Sequence, residues 1–177
     1  MIVCIDPGHG QDSRTDGVYD PGAVNKLLGA QEASIALEWA KTLKFILTKA
    51  GIPCFLTRDY DLDSCPLESR VKMASHRKAT HFISIHCNSH TVISTGTETL
   101  YRGSPTIWAE DVQNAAMKAL GLKNRGLKMR NNLAVLHAKN SCLLELGFIN
   151  NPWDLARMRD RQRRIVFAEA IRDSLLS

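Results

Sequence analysis

A three-layer α/β fold, with a mostly parallel, twisted sheet of about six strands flanked by helices, is the architecture this sequence predicts. Three observations carry it. Short apolar, β-branched runs alternate with amphipathic helical stretches, the pattern of a parallel sheet with crossover helices. The run 81–88 is apolar through Phe82, Ile83 and Ile85, as a strand buried on both faces must be. Several such runs also end in histidine, or carry a glutamate, where packing alone would choose neither.

The 177 residues are enough for one domain, 1–177, with a core that needs no staples. A hydrophobic share of 44% with 23% charged residues is ordinary for a globular chain. No apolar run approaches the ~20 residues that span a bilayer. The five cysteines are scattered, odd in number and without a CxxC pair, so a reduced chain is expected. The net charge of +5 fits an anionic partner, either nucleic acid or an anionic cell envelope.

Taken in order, residues 2–5 form a compact strand that runs into Asp6-Pro7-Gly8-His9-Gly10. Proline and the two glycines turn the chain and leave His9 at the strand's carboxyl end. Residues 11–30 are aperiodic and rich in turn formers, a long loop over the strand ends. A helix follows over 31–50, its apolar stripe Ile35, Trp39, Leu43, Ile46, Leu47 and Ala50, stopped by Gly51. Glu32 falls on that buried stripe. A first-turn carboxylate favours the helix dipole, but an inward one also needs a partner.

Residues 52–57 form a second strand, and a helix is expected over 67–79. After the strand around Ile85 comes a short polar connection, 88–95. Thr97-Glu98-Thr99-Leu100-Tyr101 alternates like an edge strand. Gly103-Ser104-Pro105 reads as a helix start with proline at N1, and Gly121 as its end. Residues 123–130 read as a basic irregular segment. Residues 133–136 read as a short strand ending at His137, and 141–148 as an apolar strand with Glu145 embedded in it. A short helix after Asn151-Pro152 and a final one bearing Ile165, Ala168, Ile171 and Leu175 complete the chain.

Parallel strands present their carboxyl ends along one edge, where open α/β sheets bind ligands. His9, His86 and Glu145 lie on strands and Glu32 starts a helix, so the four can converge. Two imidazoles and a carboxylate form a hydrolytic zinc site with one position left for water. A second carboxylate can take that water's proton. No HExxH helix is present, so the donors come from separate elements.

The motifs Ile5-Asp6-Pro7-Gly8-His9-Gly10, Glu32, Ser84-Ile85-His86-Cys87-Asn88 and Leu144-Glu145-Leu146-Gly147-Phe148 together resemble the zinc-dependent N-acetylmuramoyl-L-alanine amidases of the Amidase_3 family. Leu56-Thr57-Arg58-Asp59, Leu67-Glu68-Ser69-Arg70, residues 124–128 and Asn151-Pro152 extend the resemblance over nearly the whole chain. It implies that His9, Glu32 and His86 ligate one Zn²⁺ per chain and that Glu145 is catalytic. It also implies peptidoglycan as the partner, and an open twisted sheet flanked by helices. One departure is Asn150, where the family's GFxSN segment usually has serine. The connection after Asn88 has no room for the inserted helix of the divisome-regulated members, so an enzyme active as made is expected.

With no leader or wall-binding repeat seen in the sequence, the resemblance points to a phage or prophage endolysin. Such a protein is made in the cytoplasm and acts on the cell wall; a trimmed domain of a secreted autolysin is the other origin. A monomer is expected. Asn88, Arg125 and His137 are candidate substrate-binding residues, each with a structural alternative: a turn, a solvated basic loop, a strand end. Two other functions compete. A zinc peptidase could cut within the stem peptide using the same ligands. A basic nucleic-acid-binding module rests on charge alone, because aromatics make up only 6% and no basic–aromatic stripe occurs; no nucleic-acid partner is expected.

Overall fold

A computed structural model describes residues 1–90 and 94–177 of the chain. Its centre is a six-stranded sheet built from β1 (Val3–Pro7), β2 (Cys54–Leu56), β3 (His81–Asn88), β4 (Thr97–Tyr101), β5 (Asn124–Met129) and β6 (Ser141–Phe148). The spatial order is β2-β1-β3-β6-β4-β5. Every pairing is parallel except β6 with β4. Five helices surround it: α1 (Glu32–Lys49), α2 (Leu67–His76), α3 (Ile107–Leu120), α4 (Pro152–Arg159) and α5 (Arg161–Leu176). The expected mostly parallel, three-layer α/β sheet is the observed one.

The two faces of the sheet differ in thickness. Alternate side chains of a strand point to opposite faces. Val3, Ile5, Ile83, Ile85, Cys142 and Leu144 therefore join α1, α3 and α5 in the larger core, which includes the fully buried Trp39 and Phe167. Trp39 satisfies its indole by donating to the Met158 carbonyl at 2.8 Å. The opposite side chains Cys4, Phe82, Leu100 and Leu143 meet only α2 and a short 3₁₀ turn, Ala134–His137. On this thin side the carboxyl ends of the strands stay open.

Several elements depart from the sequence reading. The basic segment 123–130 is not irregular: it holds β5, the sheet's edge strand beside β4, with a register shift between Thr97 and Glu98. Gly126, at φ 75°, and the shift break its periodicity, and exposed lysine and arginine suit an edge strand. That moves β4 inside the sheet. Its alternation misled because its threonines are buried with partners, Thr97 Oγ1 donating to the Leu146 carbonyl and Thr99 Oγ1 to Gln113 Oε1, both at 2.7 Å.

Residues 133–136 do not form a strand either. They lead into the 3₁₀ turn, as a four-residue apolar run cannot by itself distinguish the two. The cap of α3 is Thr106, whose side chain accepts from the Ala109 amide, not the Ser104-Pro105 start. Helix α2 stops at His76, three residues before the expected end. The loop 11–30 carries two small hairpins, Gly10–Gln11 with Tyr19–Asp20 and Val24–Asn25 with Ala30–Gln31. Part of the polar connection 88–95 lies outside the described residues. All five cysteines are free thiols.

Candidate active site

The turn after β1 delivers His9 with φ 60°, in the left-handed region that non-glycine residues rarely occupy. Two buried arginines hold it there. Arg58 donates to the carbonyls of Pro7 (3.1 Å) and Gly8 (2.9 Å); Arg70 donates to those of Pro7 (2.9 Å) and His9 (2.7 Å). Arg70 also pairs with the fully buried Asp6 at 2.7 Å, and Asp6 accepts from Thr57 and Ser84, both at 2.6 Å. Burial would raise the Asp6 pKa, but the Arg70 charge and the two hydroxyls outweigh it and hold the carboxyl below its ordinary value.

Glu32 opens α1, and its amide donates to the Ala23 carbonyl while its Oε2 accepts from the Ala23 amide. The remaining oxygen, Oε1, faces His9 Nε2 at 3.0 Å, His86 Nδ1 at 2.8 Å and the Cys87 amide at 3.0 Å. One ligand atom from each of His9, Glu32 and His86 falls within 4.8 Å of the others. Burial works against the Glu32 carboxylate, yet hydrogen bonds from His86 and His9 prevail and keep its pKa well below the usual range. His9 is pulled down by burial and raised more strongly by Glu32 and Asp20, ending above its ordinary value.

These residues suit a divalent cation. Two imidazoles aimed at one carboxylate oxygen place three donors around a common point, an arrangement that one cation satisfies better than two extra protons. His9 Nδ1 donates to Asp20 Oδ2 at 2.8 Å, which leaves Nε2 as the coordinating atom, the carboxylate–histidine pairing of metal sites. Glycines make the room. A Cβ on Gly8 would stand 2.3 Å from His86 Cε1, and one on Gly22 would stand 2.6 Å from both Glu32 Oε2 and His9 Cδ2.

Glu145 lies beside this cluster, opposite His86 in the β6–β3 ladder and opposite Glu98 in the β6–β4 ladder. Its Oε2 is buried and, among the described residues, has no hydrogen-bond partner. Burial, with the charges of Glu32 and Glu98, pushes its pKa well above its ordinary value. A pocket of about 250 Å³ on the thin face is lined by His9, His86, Arg14, Leu67, Leu133 and Leu143, among others.

Of the substrate-binding candidates, Asn88 and Arg125 meet at one carboxylate: Asn88 Nδ2 donates to Glu98 Oε1 at 3.1 Å and Arg125 Nε to Glu98 Oε2 at 2.7 Å. His137 is elsewhere. It closes the 3₁₀ turn and lines a separate hollow with Lys78, Thr80 and Phe82, at the amino end of β3. Its expected place in the cleft rested on a strand that does not form. The sequence reading gave no role to Asp20, to the Asp6–Arg70–Arg58 network or to Glu98. Asp20 sat in a Pro-Gly turn, and Glu98 was hidden by an alternation that looked like a solvated edge.

The family described as N-acetylmuramoyl-L-alanine amidase matches residues 3–177. The structure of the amidase AmiC2 of Nostoc punctiforme superimposes with a TM-score of 0.86 at 33% identity, covering 99% of this chain and 95% of that one. The catalytic domain of the amidase CwlV from Bacillus (Paenibacillus) polymyxa var. colistinus gives 0.84 at 32% identity, covering 98% and 95%. The amidase LytC of Bacillus subtilis is 30% identical over 99% of this chain, which spans only 35% of the LytC length. This chain belongs to the N-acetylmuramoyl-L-alanine amidase family, Amidase_3.

Proposed function

We propose that this chain is a zinc-dependent peptidoglycan hydrolase acting on the cell wall, which cleaves the amide between the lactoyl group of N-acetylmuramic acid and L-alanine. His9 Nε2, Glu32 Oε1 and His86 Nδ1 would hold one Zn²⁺ per chain. Bound there, zinc supplies Lewis acidity that polarises a carbonyl and makes a water easier to deprotonate. The chain's own groups do the rest. Asp20 fixes the His9 ring, Glu32 is locked by the Ala23 amide, and Arg58 and Arg70 keep the His9 turn from relaxing.

Glu145 takes the proton of the attacking water as its oxygen bonds to the carbonyl carbon. When the C–N bond breaks, Glu145 returns that proton to the departing amine of L-alanine. The observation that carries this reading is the unpartnered Glu145 Oε2 beside a three-donor cluster. A buried carboxyl oxygen with no partner is costly as structure and stands free to accept a proton and return it.

Product analysis tests the reading. Purified peptidoglycan treated with the zinc-loaded protein is expected to gain free lactoyl carboxyls on muramic acid and free L-alanine amino termini in equal amounts. Intact muramoyl-alanine with new ends inside the stem peptide would mean a peptidase instead.

A further inference from the structure

Arg125 is held like a built group rather than a solvated one. It is the extra residue of the β4–β5 register shift, since Thr97 pairs with Asn124 and Glu98 with Gly126. Gly96, at φ 117°, gives its stem passage: a Cβ there would lie 2.9 Å from Arg125 Cγ and Cδ. The guanidinium lies 5.1 Å from the Phe148 ring centroid, and its Nε donates to Glu98 Oε2. Asn88 occupies the other Glu98 oxygen. Among the described residues, neither Nη of Arg125 has a hydrogen-bond partner, and the side chain is 34% exposed. A pinned guanidinium with a free, solvent-reachable fork is suited to a carboxylate.

Its position gives that carboxylate an address. His86, Glu145 and Glu98 stand side by side on adjacent strands, and Arg125 extends the row. If the scissile carbonyl lies at the His9–Glu32–His86 cluster and the departing amine over Glu145, the released peptide runs on toward Glu98 and Arg125. Adjacent strands are about 4.8 Å apart, so Glu98 is about 10 Å from His86 across the sheet. Two extended residues span about 7 Å, and a carboxyl group on the second covers the remainder.

We propose that Arg125, pinned by Glu98, Phe148 and the Gly96 gap, binds the free carboxylate on the second residue of the stem peptide. The site therefore selects stems whose second residue is an acid over stems in which it is amidated. This rests on the amide-hydrolysis reading above, and it adds a specificity determinant to it. Glu98 acts through Arg125, as a positioning residue.

The test compares N-acetylmuramoyl-L-alanyl-γ-D-glutamyl-L-lysine with its D-isoglutaminyl counterpart, so that the γ-carboxyl is in peptide linkage in both and only the α-group of the second residue differs. A charge-assisted bond made to one and not to the other predicts a kcat/KM ratio of about ten- to a hundredfold in favour of the acid, carried by KM. Arg125→Gln is expected to bring the ratio near one. Arg125→Lys, which keeps the charge without the fork, and Glu98→Gln, which loosens the pin on Nε, should give intermediate ratios. L-alanyl-γ-D-glutamyl-L-lysine should also compete for the wild-type site more strongly than L-alanyl-D-isoglutaminyl-L-lysine, a readout that needs no variant to fold. Equal kcat/KM for the two substrates in the wild type would overturn the inference, as would a wild-type ratio in folded Arg125→Gln. Cleavage of neither by the zinc-loaded wild type would overturn the amide-hydrolysis reading itself, and this inference with it.

Discussion

Glu98 and Glu145 face each other across the β4–β6 ladder, and their surroundings differ sharply. Both oxygens of Glu98 are taken, by Asn88 and Arg125. Glu145 keeps one buried oxygen without a partner. Like charges directly opposite are unfavourable. The raised pKa falls on Glu145, the one without a counter-ion.

Asp6 is the hinge between stability and the site. Removing one partner of a buried ion pair costs about 3–5 kcal/mol, so Asp6→Asn should lower unfolding stability by that order in a urea titration. Its folded pKa is below the unfolded value, so its contribution is complete above about pH 4 and is lost as pH falls through the folded pKa. Wild-type melting temperature should therefore drop on acidification below about pH 4, and less steeply in Asp6→Asn. Parallel slopes would contradict the assignment.

Asp20 accepts from His9 Nδ1, the ring nitrogen turned away from the three-donor cluster, and so orients Nε2. Loss of such a partner weakens metal binding by about 10–100-fold. Competition with a calibrated chelator should find that shift in Asp20→Ala, with the fold retained. An unchanged zinc affinity would remove Asp20 from the account.

Gly8 lies where a Cβ would sit inside the His86 ring's space. Gly8→Ala is expected to displace that ring and to leave well under one zinc per chain by elemental analysis. Wild-type stoichiometry at wild-type affinity would show that the ring has another place to go.

The fold class and the convergence of His9, Glu32 and His86 were legible because each depends on local signals that survive folding: buried runs, strand-terminal turns and a helix start. What was not legible was tertiary. Glu98 and the threonines flanking it read as a solvated edge, because a sequence does not show that Leu146 and Gln113 will satisfy their hydroxyls. His137 was misplaced for a related reason. Four apolar residues suit a strand or a 3₁₀ turn equally, and only packing against α2 and β6 decides. The arginines that hold the His9 turn come from segments 49 and 61 residues away in the chain, and no local pattern announces what they grip.

The proposed role of Glu145 as proton carrier in amide hydrolysis is tested most directly by Glu145→Gln, which keeps the size of the side chain and removes its basicity. Turnover of peptidoglycan, measured as release of free L-alanine amino termini at matched zinc content, is expected to fall by about 10²–10⁴-fold. Zinc content and melting temperature should hold at or above wild-type values, since a neutral amide relieves a buried, poorly solvated carboxyl. Near-normal hydrolysis by folded, zinc-loaded Glu145→Gln would contradict the account.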